Sequence, residues 1–395
     1  MKKIIFLSLS LNLILCFWVS AGEKLSTHEL LTNSLNQLDK NQFDSKVKMS
    51  EVSQWLVGLP TMGLSLLQTN NKQGIDEYQL SINLPFKTRA RKKLDKQLFQ
   101  QSQSLVSIAQ QNKALFVSGL IRESIWQYKI ALKQREIEQN KLNWLNKQMV
   151  LLNQLVKSGG SNLDLLFVEK QVLAEKLLLL ELEQQVQLRR KQFRQITGTD
   201  TIPENFYEGG INDERAAFAQ HPTVQQLQLS MQQADVLYEL AGKSANPINV
   251  SLTALDIRDN ATNGINDRQY GVALEVPIGL GKSKTQADSS SWLQQQNTLS
   301  NQLATFERTF STQFLALRNE HRFLSQKQSL LEQQALKTQQ IFNKLEQLRN
   351  TNELNQGLFY QRMIELIAAM HQGELNQLYI KQNQSRQKQL AGVSL

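Results

Sequence analysis

All six prolines of this 395-residue chain stand at positions 60, 85, 203, 222, 247 and 277, so 86–202 and 278–395 contain none. Between Phe86 and Ser158 the only glycine is Gly119, and between Lys282 and Leu354 there is none. Both stretches are rich in Gln, Leu, Lys, Glu and Ala. Proline and glycine are the strongest helix breakers, so two helices of about 70 residues are predicted. At 1.5 Å per residue each would be roughly 105 Å long. No ordinary globular core hides such rods; they must pack lengthwise on one another.

The apolar spacing fits that packing. Leu142, Leu145, Met149, Leu152 and Val156 step by three and four residues. Leu179, Leu182 and Val186 do the same, with Phe193 one heptad further, and Leu303, Phe306, Phe310, Phe314 and Leu317 form a similar stripe. These are coiled-coil seams, with Gln, Lys and Glu on the solvated faces. Each rod pair turns at a short break, Lys157-Ser158-Gly159-Gly160-Ser161-Asn162 and then Arg349-Asn350-Thr351-Asn352-Glu353. Gly and Asn tolerate the left-handed backbone that ends a helix.

Four short segments alternate with a period of two. Tyr78, Leu80, Ile82, Leu84 and Phe86 alternate with polar residues or Pro85, and Ile248, Val250, Leu252 and Ala254 alternate with Asn249, Ser251 and Thr253. Tyr270, Val272, Leu274, Val276 and Ile278 form a third series, and Met62, Leu64 and Leu66 a weaker fourth. Strands of about nine or ten residues, apolar on one side, match tilted transmembrane β-strands, or a soluble β-hairpin capping the rods.

The chain reads as a duplication. Pro85 and Pro277 stand 192 positions apart, as do Phe167 and Phe359 after the two turns. The first repeat, 22–198, holds a short helix over 25–57, a β-hairpin at 61–86 and a helical hairpin at 87–197 that turns at 157–162. A connector at 199–221 follows, marked by Asn, Gly and Pro and by lost periodicity. The second repeat, 222–395, holds a helix, a β-hairpin at 248–278 and a helical hairpin at 282–390 that turns at 349–353. The fold class expected is mainly α with a small β part. Four strands are too few to close a membrane barrel, which starts at about eight. Open edges cannot sit in lipid. Three copies would supply twelve strands and enclose an aqueous lumen.

Residues 1–21 read as a secretory signal peptide: Lys2 and Lys3, an apolar stretch from Ile4 to Trp18, and small or branched residues before a cut at Gly22. Leu15 precedes Cys16, where lipidation needs a small residue, so no lipid is expected. With Cys16 removed the mature chain has no cysteine and therefore no disulfide, thiol nucleophile or thiolate metal site. After residue 20 no apolar run approaches the length that spans a bilayer as a helix, which excludes a polytopic helical membrane protein. With 41% hydrophobic and 20% charged residues the chain is no disordered polyelectrolyte.

No constellation for catalysis or metal binding stands out. His28, His221, His321 and His371 lie far apart in sequence and are expected to be solvated helix residues. Gly279-Leu280-Gly281-Lys282-Ser283 ends like a phosphate loop, but Val276 occupies the position where that loop needs glycine. No catalytic residue, cofactor or metal is expected. The net charge of +9 is spread along the chain, apart from a basic run that opens the first rod. That run, Lys87, Arg89, Arg91, Lys92, Lys93 and Lys96, lacks interleaved aromatics, so nucleic acid is not expected. It reads as a basic rim of a lumen near the membrane that favours anionic solutes.

The segments YQLSINLPFKTRARKK and YGVALEVPIGLGKSKT resemble the strand-end proline and long helix of the TolC-type outer-membrane efflux family. HPTVQQLQLSMQQADVLYELAGKSANPINVSLTAL and the turn SGGSNLDLLFVEKQVLAEK are similar to it as well, and the likeness extends over nearly all of 25–395. The resemblance implies a homotrimer in the outer-membrane lipid: a trimeric α-barrel continuous with a 12-stranded transmembrane β-barrel, its helical tube in the periplasm. It also implies tips that dock a periplasmic adaptor and an inner-membrane transporter. Mapped here, the tips are Val156, Ser158, Gly159, Gly160, Leu163, Asp164 and Leu165, with Arg349, Asn352, Leu354 and Leu358. Where the family often carries aspartates after the second turn, this chain has Gln356 and Phe359, with Glu353 the nearest acid; these three are the aperture candidates. The function implied is passive export of small molecules. A type I protein-secretion duct of the same architecture and a soluble periplasmic coiled-coil scaffold remain the alternatives.

Overall fold

The structure is a computed structural model that describes residues 26–41, 53–70, 74–159, 162–244, 247–260, 264, 266–276, 284–350 and 356–395. Residues 1–21, expected to be a signal peptide, Gly160, Asn352, Glu353, Leu354 and the segment 277–283 lie outside the described residues. The same holds for the side chains of Arg349, Gln356 and Leu358.

In chain order the elements are α1 (Thr27–Asn41), β1 (Thr61–Leu67), β2 (Ile75–Phe86), α2 (Arg89–Lys157), α3 (Asn162–Thr197), α4 (Glu214–Gln220), α5 (Pro222–Ser244), β3 (Ile248–Asp259), β4 (Asp267–Glu275), α6 (Gln286–Asn350) and α7 (Gln356–Leu390). The protein is thus mainly helical with a small antiparallel sheet. The two breaker-free stretches form α2, of 69 residues, and α6, of 65.

Helix ends are fixed by local chemistry. At α1 the Glu29 amide donates to Ser26 Oγ and the Ser26 amide to Glu29 Oε2, a reciprocal capping box. Thr285 and Asp288 repeat it at α6. Gly198 and Gly392, with φ of 74° and 78°, close α3 and α7 in the left-handed region. One expectation fails locally, and the connector holds an element that the sequence did not mark. The first helix does not run to residue 57: from 53 the chain is irregular, with Ser53 Oγ accepting from the Leu56 amide. The connector contains α4, capped by Asp213, whose Oδ1 accepts from the Ala216 amide; seven residues are too few to show periodicity.

The chain divides into two compact units. One comprises Met1–Asp44, Lys113–Ala217 and Ser311–Leu395; the other comprises Ser45–Asn112 and Phe218–Phe310. The first unit has two apolar clusters. In one, Leu142, Leu145 and Leu152 of α2 meet Leu165, Val168, Val172 and Leu179 of α3 and Phe359, Tyr360 and Met363 of α7, as the heptad spacing requires. In the other, Leu30 and Leu31 of α1 meet Val117, Ile121, Ile125 and Trp126 of α2, with Phe193 and Phe206. Beside this cluster the buried Arg122 holds Glu208 through two bonds of 2.8 and 2.6 Å, and also donates to Gln389 and to the Val393 carbonyl. In the second unit Tyr238 of α5 stacks on Trp292 of α6, with ring centres 5.0 Å apart. Phe218, His221, Phe306 and Phe310 form an aromatic group there.

Glu175 of α3 is buried against α2, where it shares a hydrogen bond with Glu138; Glu138 accepts from Lys141 at 2.7 Å. Burial first, and the neighbouring Glu138 next, push Glu175 up to about 7 from 4.5, although Lys141 opposes the shift. Between those values the folded chain binds a proton that the unfolded chain has lost, so stability falls as pH rises through that window. Glu175→Gln is therefore expected to raise the melting temperature at about pH 8, with the gain shrinking toward about pH 5 in parallel thermal melts. Phe193→Ala empties a fully buried ring site and is expected to cost about 3–5 kcal/mol, read from the denaturant midpoint of the detergent-solubilised protein.

Candidate functional site

The sheet, the helical turns and the basic run are the elements the sequence marks for function. The four strands lie in the order β1-β2-β3-β4, every neighbouring pair antiparallel. The central pairing joins the two repeats in register from Ile75↔Asp259 to Phe86↔Ile248. β1 and β4 are left as edges. Because successive residues point to opposite faces, the registers sort the side chains. Met62, Leu64 and Leu66 of β1 are level with Ile82, Leu80 and Tyr78 of β2. These are level with Leu252, Ala254 and Asp256 of β3, and through them with Val272, Tyr270 and Arg268 of β4. Gly63, Ser65, Gln79, Ser81, Thr253, Gln269 and Gly271 occupy the other face, joined toward the loops by Leu67, Leu255 and Ile257.

The apolar face is uncovered within the chain: Met62 is 70% exposed and Tyr270 82%. Its character changes toward the hairpin loops. There Arg268 and Arg258 both donate to Asp256 at 3.1 Å, and the Arg258 guanidinium lies 5.1 Å from the centre of the Tyr78 ring. Aromatic and charged groups bordering an apolar band are the pattern of a membrane interface. On the polar face each hairpin has a glycine against a hydroxyl. A Cβ on Gly63 would meet Ser81 Oγ at 2.7 Å, and one on Gly271 would meet Thr253 Oγ1 at 2.6 Å.

The first helical turn combines exposed and buried residues. Ser158 and Gly159 are exposed, and Leu163 is 75% exposed. Gly159 has φ of 93° with open space around it, so any larger residue there would strain the backbone without a clash. Asp164, half-buried, supplies the acid in the first turn of α3. Val156 and Leu165 instead face inward, packed into the first unit's apolar cluster. Of the second turn's residues, Phe359 has a described side chain. It is 1% exposed, with its ring centre 6.4 Å from that of Trp144 and 5.3 Å from that of Tyr360. Phe359 therefore supports the helices from inside and lines no opening in this chain.

The basic run does not act as one patch. Lys87 is buried and paired with Asp95 at 2.6 Å, and Arg91 lies 3.8 Å from the same carboxylate. Lys92 sits over the Trp55 ring, 4.2 Å from its centre. Arg89 and Lys93 are exposed. Lys87 thus leaves the expected rim, because Asp95, eight residues further on in α2, neutralises it. His221 is also not the solvated residue expected: it is buried, its Nδ1 accepts from the Thr223 amide to cap α5, and burial lowers its pKa. Its sequence signal was the following Pro222, which occupies the first position of α5.

Among the described residues no group of three His, Cys, Asp or Glu side chains could hold a metal ion. No described helix is long and apolar enough to cross a membrane.

No family model and no curated protein matches the sequence. Solved structures do. CusC, a protein whose structures describe transmembrane channel formation, aligns over 93% of this chain and 92% of its own, with a TM-score of 0.62 and 12% identity. VceC, an outer membrane protein of Vibrio cholerae, aligns over 93% and 92%, with a TM-score of 0.59 and 10% identity. MtrE of Neisseria gonorrhoeae, an outer membrane channel solved in its open state, aligns over 92% and 86%, with a TM-score of 0.58 and 12% identity. At such identities the likeness carries the fold, and the fold of this chain is that of the TolC-type outer-membrane channels.

Proposed function

We propose that the chain is one of three copies that form a passive export duct in the outer membrane. The observation that carries this reading is the two-faced sheet with two open edges. Lipid does not hydrogen-bond a backbone, so a sheet that offers an apolar face to a membrane must close on itself. With four antiparallel strands, β1 and β4 run in opposite directions. The β4 of one copy therefore meets the β1 of the next in the antiparallel sense, and three copies close twelve strands. The apolar face then lies toward lipid and the face with Ser65, Ser81, Thr253 and Gly271 toward water. Closure at twelve strands leaves room for an aqueous channel.

In this reading the long helices continue the duct into the periplasm. Small molecules such as drugs, toxic compounds or ions would pass from an inner-membrane transporter joined through a periplasmic adaptor. The exposed residues Ser158, Gly159 and Leu163 would form the contact surface at the first tip, together with Gly160 and the second tip's Arg349, Asn352, Leu354 and Leu358. Val156, Asp164 and Leu165 would hold that surface in shape. Glu353 and Gln356 are the remaining aperture candidates, and Arg89, Arg91, Lys92 and Lys93 the remaining basic rim. A duct needs no bond chemistry, so no enzymatic role is proposed.

The detergent-corrected mass of the membrane-extracted protein, measured by light scattering, tests the closure. A trimer is expected; a soluble monomer or dimer, released from membranes by carbonate, would make the chain a periplasmic scaffold instead. Gly159→Trp is expected to abolish export while the trimer persists, and loss of the trimer would count against a docking role. Reversing Arg89 and Lys93 to glutamate is expected to shift bilayer selectivity from anions toward cations; unchanged selectivity would remove the rim.

A further inference from the structure

The first unit contains a cleft of about 600 Å³ between α2, α7 and the segment 200–207. That size lies within the range of small-molecule sites. Its inner wall is aromatic: Trp126 and Phe206 are both buried, with ring centres 5.7 Å apart. Trp126 is 1% exposed, yet its indole N–H, an obligate donor, is buried with no acceptor. Leaving a buried donor unpaired is destabilising, so such a group calls for a partner.

Cations gather at the same place. Lys129 Nζ lies 5.6 Å from the centre of the Trp126 ring and donates to the Glu204 carbonyl at 2.6 Å, leaving two of its three N–H groups for other acceptors. Lys381 of α7 lines the cleft as well, and makes no ion pair among the described residues. Burial first, and repulsion from Lys381 next, lower Lys129 to about 8, with Glu204 opposing the shift. The other charged side chains of the cleft are committed to each other. Lys133 bonds Glu136 and pairs with Glu374 of α7, and Arg190 lies 4.0 Å from Asp200. Two ammonium groups therefore face one carboxylate, that of Glu204, beside an indole N–H that donates to nothing.

We propose that this cleft is a binding site for a small organic anion, a carboxylate on a flat apolar body. The carboxylate would accept from Lys129, Lys381 and Trp126 Nε1, and the apolar body would lie against Phe206, Tyr207 and Leu378. This site is independent of the duct reading, because it lies within the first unit and involves no strand.

Equilibrium dialysis of the full chain in detergent, with naphthoate and its neutral isostere naphthamide, tests the site. Naphthoate is expected to bind saturably, one per chain, and naphthamide at least about tenfold more weakly, as loss of charge-assisted bonds implies. Lys381 is exposed, so Lys381→Gln leaves the fold intact and is expected to weaken naphthoate by about tenfold with an unchanged thermal melt. Trp126→Phe keeps a ring and removes the donor, and is expected to weaken naphthoate with little effect on naphthamide. Affinity for naphthoate is also expected to fall as pH rises past about 8, where Lys129 loses its charge. Absence of saturable binding, equal affinity for acid and amide, or a Lys381→Gln variant that binds as well as the parent would each overturn the proposal.

Discussion

A helix of 69 residues with an apolar seam has no way to hide that seam by itself. Its own backbone bonds satisfy its polar groups, but burial of leucine and aromatic side chains has to come from another helix running alongside. Most of the first unit follows from that need. The turn at Gly159 sends α3 back along α2, so Leu142, Leu145 and Leu152 find Leu165, Val168 and Val172. Phe359, Tyr360 and Met363 bring α7 into the same cluster. The carboxyl pair of Glu138 and Glu175 is the exception on this seam. It places a carboxyl where a leucine would pack, and the fold accommodates it by favouring the protonated acid.

What could be read from the sequence was local or periodic. Pro60, Pro85, Pro222 and Pro247 each marked a helix or strand boundary, and the steps of three and four residues marked the buried seams. The alternation at Tyr78–Phe86 and Ile248–Ala254 marked strands that pair in one sheet. What could not be read depends on contacts between distant residues or on one-turn chemistry. Arg122 and Glu208 are 86 positions apart, and no pattern in the chain joins them. Lys87 looks like part of a basic patch until Asp95, eight residues further on, is seen paired with it. Phe359 sits at a position that a family likeness relates to an opening, yet the side chain is large and apolar, and here it fills the core beside Trp144. The capping boxes at Ser26–Glu29 and Thr285–Asp288 had a sequence signature that helix-scale periodicity overlooks.

The sheet and the long helices obey different rules. In the helices, alternation of buried and solvated faces follows a period near three and a half, and the cluster at the core decides the fit. In the sheet, side chains sort by a period of two, with one face mostly apolar away from the hairpin loops, and the chain does not cover that face. The matched pairs Gly63 with Ser81 and Gly271 with Thr253 show how closely the two hairpins repeat each other on the polar side. That likeness persists although the first strand of the first hairpin has 7 residues and its counterpart in the second has 12.

The first unit draws on three stretches separated along the chain, and Leu395 packs against the same cluster as Leu30 and Leu31 of α1. Its amide also donates to Ser118 Oγ on α2. The first helix described and the last residue of the sequence are therefore neighbours. Contacts of such long sequence separation form late, since the loop between them must close first. The consequence is temporal: while a ribosome is still supplying residues beyond 310, this unit lacks the material to finish. The part of its seam that α7 supplies, at Phe359, Tyr360 and Met363, stays open until those residues have been made.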